Sequence, residues 1–252
     1  MNVFKNLFFI ATIAITIISC SDSVRESVSV PIEHTEQLIK DLKGSNFSIV
    51  LNDMNINEEN GKDLFQHKYH ILKVEKDSLL VDSLGWKTVN KKFFLKHENN
   101  LGMEIVSNHN NKLSRIARPV GFDWAVGNEK EGQWQEEDST KSNSSSVRRR
   151  YWQSNHSSGL FWYWMLRRRN YRRDYAGYKA YKSTDKTYYG NSSGGNAIYG
   201  TNSAYQKSKR SSFFTRKSSS SIWKSYSSRK SASSSRYNGA STTRSKSGGF
   251  GK

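Results

Sequence analysis

The stretch LFQHKYHILKVEKD, residues 64–77, alternates with a period of two. Phe65, His67, Tyr69, Ile71 and Lys73 fall on one face, and Leu64, Gln66, Lys68, His70, Leu72 and Val74 on the other. That alternation predicts a long strand. Upstream, NFSIVLNDMNI (46–56) alternates Phe47, Ile49 and Leu51 as a second strand, and NEENG (57–61) supplies turn residues between the two. Downstream, KDS leads into a shorter strand at Leu79–Val81. Ahead of these, IEHTEQLIKDLKG (32–44) spaces Ile32, Leu38, Ile39 and Leu42 as an amphipathic helix that ends on Gly44. GWKTVNKKFFLKHENNLG (85–102) carries Val89, Phe93, Phe94, His97 and Leu101 at helical spacing, with Gly102 as its cap. MEIVSNHNNKLSRIA (103–117) reads as two strands around an NHNN turn. The order α-β-β-β-α-β-β predicts an α+β fold, a small domain with a mostly antiparallel sheet and two short helices.

The charge of +18 conceals a split. Residues 1–140 hold 16 Lys+Arg against 20 Asp+Glu, a net of −4; residues 141–252 hold 24 Lys+Arg against only Asp174 and Asp185, a net of +22. The second half also carries 28 serines and only five Val, Leu or Ile residues (Val147, Leu160, Leu166, Ile198 and Ile222). So few aliphatic side chains predict a largely disordered basic tail. The expected organisation is a signal peptide at 1–19, a tether at 20–32 and the α+β domain at 33–135. A polar linker at 136–158, an aromatic and basic helix at 159–182 and a disordered tail at 183–252 follow.

The address is read from the other end. Lys5 precedes an apolar run from Leu7 to Ile18 that is broken only by Thr12 and Thr16 and followed by Ser19 and Cys20, the single cysteine of the chain. A basic start, a short apolar core and a small residue describe a secretory signal. The run is about a dozen residues, whereas a membrane-spanning helix needs roughly 20. The segment resembles a bacterial lipobox, with Ile17 three residues before the cysteine and Ser19 directly before it, which implies acylation of Cys20. With one cysteine, no disulfide within the chain and no multi-cysteine zinc site can form.

Past the expected sheet, RPVGFDWAVGNEKEGQW (118–134) places Val126-Gly127-Asn128 ahead of Gly132-Gln133-Trp134. With the aromatic, Arg- and Ser-rich run that follows and the ending SKSGGFGK, this resembles Bacteroidota-type lipoproteins that carry a valine-glycine-asparagine motif, a tyrosine-glycine-x-tryptophan and an aromatic basic tail. Val126, Gly127, Asn128, Gly132 and Trp134 match, and Glu131 stands where the tyrosine would be. The resemblance implies an outer-membrane lipoprotein facing the periplasm or the surface, and it brings no activity with it.

Catalytic signals are sparse. His67, His70 and His97 are the histidines best placed to form a metal site, yet His67 and His70, three apart on a strand, point to opposite faces. No Gly-x-Ser-x-Gly and no phosphate-cradling glycine loop occur. Glu58-Glu59 and Glu136-Glu137-Asp138 read as solvated turns. Asp53, Asn55, Asn57 and Glu59 alternate as calcium ligands do, with the glycine and the closing glutamate out of place. The chain therefore reads as no enzyme and as having no cofactor.

GLFWYWMLRRRNYRRDYAGYKAYK (159–182) is the most distinctive segment. Trp162, Trp164, Arg167, Arg168, Arg169, Tyr171, Arg172 and Arg173 are its candidate binding residues. Three settings fit the segment: docked on the domain, lying in the membrane interface with arginines on anionic head groups, or exposed as a partner site. Further on, aromatics alternate with Arg, Lys and Ser, which suits stacking and polyanion contact. The expected function is a lipid-anchored envelope protein of structural or binding type that contacts lipopolysaccharide, anionic glycan or extracellular DNA. The alternatives are an assembly or secretion accessory that binds an envelope protein, and a small hydrolase or metalloenzyme.

Overall fold

The computed structural model describes residues 25–30, 32–75, 78–137, 149–155, 169–190 and 194–238. In chain order it has helix α1 (His34–Asp41), strands β1 (Asn46–Glu59), β2 (Lys62–Glu75) and β3 (Ser78–Thr88), and helix α2 (Lys91–His97). Strands β4 (Glu104–His109), β5 (Lys112–Ser114), β6 (Gly132–Glu137) and β7 (Arg149–Ser154) follow, then helices α3 (Arg172–Lys182), α4 (Ala204–Lys209), α5 (Ser211–Ser219) and α6 (Ser221–Asn238). A five-stranded sheet runs β3-β2-β1-β4-β5, and β6 pairs with β7 apart from it. All of these strand pairs are antiparallel. The fold is α+β, and through Ser114 its element order is the one the sequence predicts.

The turns are built where the sequence supplies left-handed residues. β1 and β2 join at Asn60 (φ 49°) and Gly61 (φ 75°), and β4 and β5 at Asn110 (φ 53°) and Asn111 (φ 59°). Two consecutive positive-φ residues make the tight turn that matches the twist of a hairpin. Strict alternation along β1 would place Met54 and Ile56 opposite Phe47, Ile49 and Leu51. All five instead share one core, because the register with β2 shifts between Leu51 and Asp53. One extra residue in a strand swaps the faces that follow it.

β3 is longer than the expected Leu79–Val81. Trp86 to Thr88 belong to this strand rather than to a helix, with Gln66 and Thr88 as register partners. The helix starts only at Lys91, where the Asn90 side chain accepts the Phe93 amide at 2.8 Å. The expected tether also joins the domain: Val28 donates to the Asp63 carbonyl at 3.0 Å and Asp63 donates to that of Glu26 at 3.0 Å.

The largest correction concerns the second half. Residues 183–252 were expected to be disordered, but 204–238 form α4, α5 and α6, while 191–193 and 239–252 lie outside the described residues. Phe213, Trp223 and Tyr226 enter the main core beside Phe65, Phe94 and Leu38. Aliphatic count misjudged this stretch because large aromatics bury roughly 150–250 Å² each, so three of them can hold two serine-rich helices. Part of the expected linker is likewise β7, whose Trp152 and Arg150 face Trp134 and Glu136 of β6. The other sheet face is covered by Val120, Trp124 and Ala125 packed on Val50, Leu72 and Leu79. Beyond it, α3 contributes Tyr178 to a cluster with Phe122, Val126 and Trp152. Of the expected 159–182 helix, residues 169–182 are described: Arg172–Lys182 are helical and docked on the domain, whereas 169–171 lie outside the helix, with Tyr171 extended and bridged to Tyr151.

The motif glycines are close-approach positions. A Cβ on Gly132 would lie 2.3 Å from the Gln153 carbonyl oxygen, and one on Gly127 (φ +82°) 2.5 Å from the Tyr175 ring. Asn128 closes the loop by donating to the Trp124 carbonyl at 3.1 Å.

Candidate functional site

The residues first considered for catalysis are committed to structure. His67 is buried, with Nδ1 3.1 Å from the Tyr69 hydroxyl. His97 Nδ1 accepts from Asn100 Nδ2 at 3.0 Å. His70, on the opposite face, sits 2.9 Å from the Ser83 hydroxyl. Burial pushes His67 well below its ordinary range, His97 down to about 3 and His70 down to about 4. All three are neutral at pH 7 and act as packing groups. Among the described residues, no group of three or more His, Cys, Asp or Glu is arranged to hold a metal ion. The alternating residues of β1 are also engaged: Asp53 pairs with Arg216 at 2.6 Å, and Asn55 Oδ1 accepts the Trp223 indole at 3.3 Å.

Sequence reading missed a serine, a histidine and an acid that the fold brings together. Ser48 Oγ lies 2.9 Å from His109 Nε2, and the His109 ring stacks on Trp124 at 4.3 Å. Glu104 Oε2 accepts from the Gly121 amide at 3.2 Å and the Trp124 indole at 3.3 Å. Burial raises the Glu104 carboxyl above its usual range. A catalytic triad needs its acid on the imidazole and its serine facing substrate. Here the acid bonds elsewhere, and Ser48 and Glu104 are both buried. The group is a polar layer beneath the 117–127 loop.

Cys20, Trp162, Trp164, Arg167 and Arg168 lie outside the described residues. The other four candidates divide into two pairs. Arg169 pairs with Glu137 and lies 4.6 Å over the Tyr151 ring, and Tyr171 donates to Glu137 at 3.3 Å at the start of α3. These two fasten α3 to the β6–β7 hairpin. Arg172 and Arg173 occupy the first turn of α3, are exposed and make no ion pair among the described residues. The positive end of a helix dipole disfavours cations, so their placement costs stability and is not repaid by a neighbouring acid's ion pair.

Elsewhere the cations of the second half neutralise acids of the first. Arg229 reaches the buried Asp63 at 2.7 Å, Lys182 reaches Asp123 at 2.6 Å, Arg150 reaches Glu136 at 2.6 Å, and Lys230 pairs with Glu98. The charge split is thus partly the complementarity that joins the two halves. What remains unpaired among the described residues includes Arg172, Arg173, Lys179, Lys186, Lys209 and Lys224, all exposed.

A cleft of about 400 Å³ opens between α3 and residues 187–190, lined among others by Arg173, Asp174, Gly177, Tyr181, Tyr188 and Tyr189. Two tyrosines are fixed in place: Tyr188 donates to the Asp174 carbonyl at 3.1 Å and Tyr189 to Asn100 Oδ1 at 2.7 Å. Burial raises both phenols, so both stay neutral donors. Gly177 lets the walls close up, since a Cβ there would sit 2.6 Å from the Tyr188 hydroxyl. The Tyr181 ring stands 5.6 Å from that of Tyr188. Arg173 was legible in the basic run, but the cleft was not, because residues 187–190 return to α3 with no spacing signal.

No family model, curated protein or solved structure matches the chain.

Proposed function

We propose that the chain is a lipid-anchored envelope protein of binding type, held on the outer membrane through acylated Cys20, whose exposed cations contact polyanionic surface material. The observation that supports this reading is the division among the cations. Among the described residues, six of the second half are used in ion pairs to first-half acids, yet a further set, including two at the unfavourable end of α3, stays exposed and makes no ion pair. Lipopolysaccharide phosphates, anionic glycans and extracellular DNA are the polyanions an envelope address makes available. No helix among the described residues is long and apolar enough to cross a membrane, so on this reading attachment falls to the lipid. More than one acyl chain gives stable anchoring, since a single chain holds only marginally.

Two measurements test it. Metabolic labelling with a fatty-acid analogue marks the wild-type chain and not Cys20→Ala; equal labelling of the two would refute the anchor. Binding of the purified chain to polyanions falls linearly in log K against log salt. Arg172→Gln with Lys179→Gln lowers that slope by about one per cation that contacts the ligand. A salt-independent affinity, or no binding at low salt, refutes the polyanion reading.

A further inference from the structure

We infer that the cleft between α3 and residues 187–190 takes one carboxylated pyranose ring of an acidic glycan. This rests on the reading above and narrows it to a ring, a charge and a place. The cleft, at about 400 Å³, falls in the size range of small-ligand sites. Its tyrosines offer flat apolar faces with phenol hydroxyls at their rims, which matches a sugar that presents C–H groups on one side and hydroxyls around its edge. Tyr188 and Tyr189 are held by their hydroxyls to Asp174 and Asn100. The Tyr181 hydroxyl has no protein partner among the described residues, although its half-buried ring leans on Tyr188.

Charge selects the ring. Arg173 brings a planar fork of donors that matches a carboxylate in two parallel hydrogen bonds, and no protein acid pairs with it among the described residues. Beside it Asp174, buried in the first turn of α3, also lines the cleft, and its negative charge repels a second anionic group. One cation and one acid suit a ring that bears one charge and several hydroxyls. A nucleic-acid strand asks instead for cations along a track. The other exposed cations, Arg172 and Lys179 among them, lie outside the lining of this cleft and serve the polymer beyond the bound ring.

The test is calorimetric titration of the full chain, in detergent, with trigalacturonate, the deacylated carbohydrate of a lipopolysaccharide, neutral maltotriose and a single-stranded DNA 20-mer. Trigalacturonate and the deacylated carbohydrate each carry carboxylated pyranose rings, one from a free glycan and the other from a lipid-linked one, so the tighter of the two identifies the source. Wild type binds at least one of them and not maltotriose. Arg173→Gln and Tyr181→Ala each weaken that binding about tenfold or more, as loss of a charge-assisted pair or a stacking face does. Tyr181→Phe, which keeps the ring, retains part of the affinity. DNA binding by the same variants changes by less than about threefold, since Arg173→Gln removes one cation of several and the Tyr181 variants remove none. If both acidic sugars bind no better than maltotriose, or if Arg173→Gln and Tyr181→Ala bind them as wild type does, the cleft assignment is overturned. DNA binding that survives in that case leaves the proposed function standing, whereas loss of every polyanion at low salt removes both.

Discussion

Replacing Trp223 by alanine separates a folded second half from a loose one. The indole is 2 % exposed and sits in the main core. Its ring lies 5.8 Å from Phe94, 5.9 Å from Phe213 and 6.0 Å from Tyr226, and its N–H donates to Asn55 Oδ1 at 3.3 Å. Truncating a buried Trp costs about 3–5 kcal/mol. The orphaned Asn55 acceptor, itself buried, keeps the figure at the upper end of that range. For a chain of this size roughly 2–4 °C is lost per kcal/mol, so the thermal midpoint falls by about 10–20 °C. Urea unfolding followed by far-UV circular dichroism reads the same change as a lower midpoint concentration. A surface residue in an unstructured tail would change stability by no more than about 0.5 kcal/mol. A loss below about 1 kcal/mol would therefore refute the packing of α6 on the sheet.

Gly132→Ala forces a Cβ to within 2.3 Å of the Gln153 carbonyl oxygen. A backbone atom has little room to yield, so a loss of about 1–3 kcal/mol is expected in the same unfolding assay; an unchanged midpoint would show that β6 and β7 are not in this register. Acid should weaken the fold. His70 and His109 are held at about 4 and His97 at about 3, against an ordinary 6.5, all chiefly by burial. Above pH 6.5 these rings are neutral folded or unfolded. As pH falls below 6.5 only the unfolded chain takes up the protons, so stability is lost down to about pH 4 at up to ~1.4 kcal/mol per pH unit for each histidine. Glu33 and Glu104, raised by burial, act in the opposite sense and favour the folded state at low pH. Urea midpoints between pH 7 and 4.5 measure the balance above the carboxylate range, and a flat profile there would contradict the buried, neutral histidines.

What could be read from the chain was local. Asn60-Gly61 and Asn110-Asn111 announce hairpin turns because few other residues adopt positive φ cheaply. The period-two faces of β2 fall as the residues dictate, whereas the start of α2 at Asn90 is not given by the helical spacing of 85–102. Less legible was anything that depends on partners far along the chain. The shift after Leu51 that returns Met54 and Ile56 to the core has no local signature, since either face of β1 could accept them. The serine-rich tail carries its apolar area on a few aromatic rings, and these found a core only because β1 and α2 had left room for Phe213 and Trp223. Of the candidate binding residues in the basic run, Arg172 and Arg173 are exposed. The run could not tell them from Arg169 and Tyr171, whose partner Glu137 lies across a stretch that reads as a linker.

Hydrogen exchange on the intact chain, followed peptide by peptide, tests most directly that the basic half completes the core of the acidic half. The account predicts that amides from Phe213 to Tyr226 exchange at least about a thousandfold slower than in an unstructured peptide, on the timescale of the central strands β1 and β2. Exchange of those amides within seconds at neutral pH, while β1 and β2 stay protected, would contradict it.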